Sequence, residues 1–78
     1  MTIQLKLEKF IKKKTRKKIT NETNLIAENI IDSFGIIEIA SFVEDNLQLK
    51  CPLNKISTAN FNNISLIVKF IKKYNKSK

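Results

Sequence analysis

Apolar residues recur at helical spacing in three stretches of the chain, each bordered by polar and charged positions. The first stretch spans residues 3–18, the second roughly residues 33–47, and the third begins after Asn62 or Asn63. Intervals of three, four and seven residues place side chains on one face of an α-helix, so each stretch predicts an amphipathic helix. The apolar positions that define these faces are Ile3, Leu7, Phe10 and Ile11, then Ile36, Ala40, Val43 and Leu47, and finally Ile64, Ile67, Val68 and Ile71.

The segments between these stretches predict a long first loop and a short additional helix. Residues 19–31 are rich in turn formers, and apolar residues that would fix the loop to the core lie at Leu25, Ile26, Ile30 and Ile31. Ser57 is a good cap for a short helix over residues 57–61, with Ile56 and Phe61 pointing inward. The fold class predicted is all-α, a small four-helix bundle in one domain over residues 1–78, with its core in about residues 3–74.

Composition excludes several classes of function. The chain has no histidine and one cysteine, Cys51, which excludes His-based triads, an internal disulfide and any multi-cysteine metal site. No apolar run reaches the length of a membrane span, and residues 1–18 lack the apolar core of a signal peptide. The expectation is a cytoplasmic monomer with no metal. Cys51 itself has two interpretations, a reactive thiol or a small buried apolar residue, and the second is favoured.

The net charge of +8 is distributed unevenly along the chain. Residues 1–18 carry +7, residues 19–49 carry −6, and residues 50–78 carry +7. The run Lys12–Lys18 can be an anion-binding patch, or it can be the solvated end of a helix, where cations complement the helix dipole. An acidic middle between basic ends differs from the even basic surface of a simple nucleic-acid binder.

Ser33 is the residue best placed for covalent chemistry. It follows Asp32, precedes Phe34, and is predicted to be the N-cap of the second helix. No histidine and no Gly-x-Ser-x-Gly elbow is present to activate it, so it can serve only as a passive acceptor. A helix N-terminus favours an attached phosphodiester, because backbone N–H groups and the dipole point towards it. The alternative is that Ser33 is a structural cap and nothing more.

The Asp32-Ser33-Phe34 motif at the start of a helix resembles the acyl and peptidyl carrier protein family, with Phe34 where Leu or Met is usual. The long first loop, the helix order and the acidic second helix extend the resemblance over about residues 3–74. It implies that the chain is not an enzyme and that Ser33 carries 4′-phosphopantetheine. It also implies three kinds of partner: a phosphopantetheinyl transferase, an acyl- or aminoacyl-loading enzyme, and a downstream synthase or transferase.

The second helix would then be the surface that partner enzymes recognise. Acidic residues would make contacts with basic patches, and an apolar centre would be formed by Phe34, Ile37 and Ser41. Gly35 has two interpretations, close approach of a partner or phosphate, or tolerance at a frayed helix start. The predicted partner-binding residues are Asp32, Phe34, Gly35, Ile37, Glu38, Ser41, Glu44 and Asp45.

A function of another class stays open at this point. The basic ends, residues 6–18 and 69–78, could make the chain a small helical binder of nucleic acid or an anionic membrane. The absence of Gly-rich or aromatic nucleic-acid signatures weighs against this function, as does the acidic middle. The carrier interpretation therefore predicts no nucleic acid and no membrane span.

Overall fold

The computed structural model describes residues 3–75, and within them it is all-helical, without strands. Three α-helices follow one another, α1 (Ile3–Thr15), α2 (Ser33–Asn46) and α3 (Ile64–Tyr74), and a single 3₁₀ turn spans Leu53–Lys55. None of the helices in this part of the chain is long and apolar enough to cross a membrane. The predicted fraying end at residues 76–78 lies outside the described residues.

The core is formed by the apolar faces that the sequence predicts, with the first loop packed onto them. Of the three helix pairs, α1 and α3 approach each other most closely. The predicted pins Leu25 and Ile31 are buried, and Ile26 and Ile30 pack partly buried against them. The buried apolar residues are Leu7, Ile11, Ile19, Leu25, Ile31, Ile36, Ile39, Ala40, Val43, Cys51, Phe61, Ile64, Ile67, Phe70 and Ile71.

Helix α1 ends at Thr15, three residues before the predicted end. The backbone of Arg16 has a φ of 58°, a left-handed conformation that closes the helix, and its N–H donates to Lys12 O at 2.7 Å. The Thr15 hydroxyl donates to Ile11 O at 2.8 Å. Lys12 and Lys14 therefore occupy the last turn, where cations favour the negative end of the helix dipole.

The prediction of a fourth helix over residues 57–61 is wrong, because these residues form a turn. Ser57 N–H donates to Asn60 Oδ1 at 2.9 Å, and Asn60 N–H donates to Ser57 Oγ at 3.4 Å. Asn60 also donates from its side chain to Lys55 O at 3.1 Å. These side-chain bonds replace the backbone bonds of a helix, in the way that Ser and Asn commonly compete with helical structure. Phe61 is buried as predicted, and Ile56 is partly buried.

The first loop is held mainly by the start of α3. Leu25 N–H donates to Asn62 O at 2.6 Å, and Ser65 N–H donates to Asn21 O at 3.2 Å. Asn63 caps α3 by accepting from Leu66 N–H at 2.8 Å, which decides between the two predicted caps. The chain leaves this loop at Ile31 and enters α2 directly, so the start of α2 is positioned by a well-anchored segment.

Candidate functional site

The N-cap of α2 is Asp32, and the prediction that Ser33 is the cap is wrong by one residue. Asp32 has an extended backbone, and its Oδ1 accepts from Gly35 N–H at 2.9 Å. Ser33 is the first helical residue and is exposed. Within residues 3–75 its hydroxyl makes no hydrogen bond. Asp32 thus provides the cap, and the Ser33 hydroxyl lies at the positive end of the helix dipole without a hydrogen-bond partner in the described chain.

Gly35 is buried at the junction between the first loop and α2. A Cβ added to it would lie 3.0 Å from the Cβ of Ile31, closer than side chains normally pack. The glycine therefore allows the loop to pack against the first turn of the helix. Because Asp32 caps the helix, the start of α2 is not frayed, and the close approach of a partner or phosphate to Gly35 stays a prediction.

A cleft of about 370 Å³ lies beside the start of α2. Asp32 and Phe34, the two neighbours of Ser33, line it, together with Lys14 and Lys17 from the end of α1 and the residues after it. Glu38 also lines the cleft and forms an ion pair with Lys14, so Lys17 is the cation of the cleft without a carboxylate partner in the described chain. An ammonium group beside a helix N-terminus favours an anion such as a phosphodiester.

A larger groove of about 820 Å³ separates α1 from α2. Five predicted partner residues from α2 line one wall, namely Phe34, Ile37, Glu38, Ser41 and Asp45. The rings of Phe10 and Phe42 also line it and are stacked, with 4.2 Å between centroids and an interplanar angle of 17°. The opposite wall is basic and comes from α1, a feature that the sequence-based prediction missed. The residues of that wall are Lys6, Lys9 and Lys13.

Glu38 is paired within the chain. Its Oε1 forms an ion pair with the ammonium of Lys14, at the end of α1. The pair is partly exposed, so it positions the two helices more than it stabilises them. Glu38 is consequently less available to a basic partner than its position on α2 predicts.

Glu44 lies away from the groove, although it was predicted to act with the other acidic residues of α2. Its Oε2 accepts from Cys51 N–H at 3.1 Å, which joins α2 to the following loop. Cys51 is buried, as predicted. Burial, with a smaller contribution from the nearby Glu44 carboxylate, raises the pKa of the Cys51 thiol from its ordinary 9.0 to about 11. The thiol is protonated at neutral pH and is a poor nucleophile.

The described residues thus include an exposed serine hydroxyl without a hydrogen bond, a cleft and a groove. Among them, no group of three His, Cys, Asp or Glu side chains is placed to hold a metal ion. A groove between α1 and α2 could have been anticipated from Phe10 and Phe42, one aromatic residue on each helix, but no periodicity pairs them. No protein-family model matches the chain, and no curated protein matches its sequence.

Proposed function

We propose that this chain is a discrete carrier protein, modified on Ser33 with 4′-phosphopantetheine. The observation that carries the proposal is the state of Ser33. Its hydroxyl is exposed at the start of α2 and unengaged, because Asp32 already caps the helix. A residue that served only as a cap would use its hydroxyl for that bond. The resemblance of Asp32-Ser33-Phe34 to the carrier protein motif gives this position its chemistry.

The surroundings of Ser33 fit the attached group. Lys17 lines the cleft next to it, and the N-terminus of α2 favours negative charge. Asp32 would retain its bond to Gly35 and keep the first turn of α2 rigid during modification. The bound arm would supply a terminal thiol on which an acyl, aminoacyl or polyketide-type group is held as a thioester.

In this role the chain is not an enzyme, and it works as a monomer in the cytoplasm. It presents its cargo to a loading enzyme and then to a synthase or transferase, which provide the catalytic groups. Phe34, Ile37, Ser41 and Asp45 form the recognition surface on α2. Glu44 is left out of that surface, because its carboxylate is bound to Cys51.

Intact-mass analysis after incubation with coenzyme A and a promiscuous phosphopantetheinyl transferase tests the proposal. The wild-type chain should gain one phosphopantetheine, and Ser33→Ala should gain none. Ser65→Ala is the control, since Ser65 is an exposed serine in the first turn of α3, outside the recognition surface, and it should load normally. An unmodified wild-type chain would reject the proposal, and so would a Ser33→Ala variant that loads like wild type.

A second candidate is a basic helical binder of nucleic acid or an anionic membrane. The exposed lysines of α1 and α3 favour it, because these two helices pack most closely together. Binding of duplex DNA, RNA or anionic vesicles would fall steeply with salt if this were the function. Weak binding with little salt dependence would exclude it.

A further inference from the structure

The groove lies between α1 and α2, which are joined through side chains. Helix α1 packs most closely against α3, and it is bridged to α2 by the Phe10–Phe42 stack and the Lys14–Glu38 ion pair. These pairs run in opposite directions along the two helices, so α1 and α2 are antiparallel. The groove follows α2 from Phe34 to Asn46, which is about 18 Å of helix.

The groove exposes apolar surface that nothing in the described chain covers. Phe34 is 67% exposed and Ile37 is 48% exposed, both on the α2 wall. The stacked rings of Phe10 and Phe42 also line the groove and are partly buried. Exposed apolar residues that are contiguous and bordered by polar ones are typical of an interaction site.

The α1 wall of the groove is a line of cations. Lys6, Lys9 and Lys13 are spaced i, i+3 and i+7, which places them along one ridge of α1. Within residues 3–75, no carboxylate lies within 4.0 Å of their ammonium groups, whereas the neighbouring Lys12 pairs with Glu8 at 3.0 Å and Lys14 with Glu38. The three lysines of the ridge are therefore free to meet negative charge brought by a partner.

We infer that this groove binds an amphipathic helix of a partner protein that has acidic residues along one flank. Its apolar side chains would cover Phe10, Phe42 and Ile37, and its carboxylates would lie opposite Lys6, Lys9 and Lys13. This is the helix-in-groove mode of recognition, in which anchors at i, i+3 or i+4, and i+7 fill an apolar groove. Charge complementarity selects the acidic flank and gives specificity and association rate more than affinity.

The charges of the two walls argue for a helix over an anionic membrane. The α2 wall carries Asp45 and Glu38, which would oppose an anionic bilayer covering both walls, whereas a helix can turn an acidic flank towards the lysines of α1 alone. The inference does not depend on modification of Ser33, which does not line the groove. The Ser33→Ala variant should bind the same helices as the wild-type chain. Helix binding in the groove and modification of Ser33 can therefore be disproved independently of each other.

A displayed library of helical peptides of about 14 residues tests the inference, because this length gives ~21 Å of helix. The peptides share an apolar stripe, and their flanking positions vary among Glu, Lys and Gln. Selection on the wild-type chain should enrich Glu on one flank. In the triple variant Lys6→Glu, Lys9→Glu, Lys13→Glu, affinity for the enriched peptides should fall about tenfold, and selection should favour Lys instead.

The matched control reverses three exposed lysines of α3 and changes the net charge equally. The control variant Lys69→Glu, Lys72→Glu, Lys73→Glu should retain wild-type affinity for the enriched peptides. A further variant, Ile37→Glu, should lose binding with all lysines present, which separates groove binding from general charge attraction. Circular dichroism checks that each variant keeps its helical content.

Four results would overturn the inference. These are failure to enrich any peptide, an equal loss in the α3 control, unchanged binding by Ile37→Glu, and lysine-dependent binding of anionic phosphatidylglycerol vesicles in place of peptides. A fifth such result could come from sedimentation of the wild-type chain. A dimer abolished by Ile37→Glu would show that a second copy of the chain covers the groove.

Discussion

Glu44 and Cys51 are joined by a hydrogen bond from the backbone N–H of Cys51 to the carboxylate of Glu44, with 3.1 Å between nitrogen and oxygen. The bond connects the last turns of α2 to the loop that begins the return of the chain. An acidic residue that the sequence assigns to partner recognition is thus part of the fold. Asp45, its neighbour in sequence, faces the groove on the other side.

Glu44→Ala should lower the free energy of unfolding by about 1 kcal/mol, because the Cys51 N–H loses its acceptor. Glu44→Gln should cost less, since the amide oxygen can still accept that bond. Urea denaturation measures both. Asp45→Ala is the control and should change stability by less than about 0.5 kcal/mol. Equal losses in Glu44→Ala and Asp45→Ala would show that the hydrogen bond contributes nothing.

The variants Asp32→Ala and Ser33→Ala should differ in their effect on the stability of the chain. Asp32→Ala removes the cap of α2 and should cost about 1 kcal/mol, whereas Ser33→Ala should cost little, because its hydroxyl makes no bond in the described structure. Thermal unfolding of the two variants gives the comparison. A larger loss in Ser33→Ala than in Asp32→Ala would return the capping role to the serine.

Gly35→Ala should destabilise the chain by about 1 kcal/mol, although alanine is the better helix former. The added Cβ would meet the Cβ of Ile31 at 3.0 Å, and this atom is fixed to the backbone and cannot turn away. Urea denaturation measures the effect, and Ser41→Ala, at an exposed position of the same helix, is the control. A stabilised Gly35→Ala variant would mean that the loop yields easily at Ile31.

Stability should decline between about pH 9 and pH 11 because of Cys51. The pKa of the thiol is about 11 in the folded chain and near its ordinary 9.0 when unfolded, so only the unfolded chain releases the proton in that range. Below pH 9 both states hold the proton and the contribution is complete. The decline should amount to at most about 3 kcal/mol, at 1.36 kcal/mol for each pKa unit.

The control for this pH dependence is Cys51→Ala, which keeps every other titrating group. Denaturation at pH 8, 9, 10 and 11 should show a steeper loss of stability in the wild-type chain than in the variant. Parallel pH profiles would contradict the raised pKa. Slow reaction of the native thiol with a disulfide reagent, and fast reaction in urea, would support its burial independently.

The positions of the three helices could be predicted because each carries its own apolar periodicity. The same holds for the pins Leu25 and Ile31, whose apolar character in a polar loop identifies them as buried. The turn over residues 57–61 could not be distinguished from a short helix. Ser57 and Asn60 can cap a helix or bond to each other, and the choice depends on the backbone that surrounds them.

The candidate site was predictable in its residue types but not in its arrangement. Asp32 and Ser33 are both strong capping residues, so sequence alone places the cap only to within one position. The relative placement of α1 and α2 depends on contacts between residues far apart in sequence, such as Phe10 with Phe42, which periodicity does not contain. The basic wall of the groove could therefore not be predicted before the helices were placed.

The hydrogen bonds between the first loop and the start of α3 also have a consequence for the rate of folding. They join residues 36 to 44 positions apart in sequence, such as Ile26 with Asn62 and Asn21 with Ser65. Helices form from local contacts within microseconds, but this loop cannot become ordered until α3 reaches it, and closing so long a segment costs entropy first. Ordering of the first loop should therefore be slower than formation of the three helices. The start of α2, with Ser33, becomes fixed only when the loop has closed onto α3.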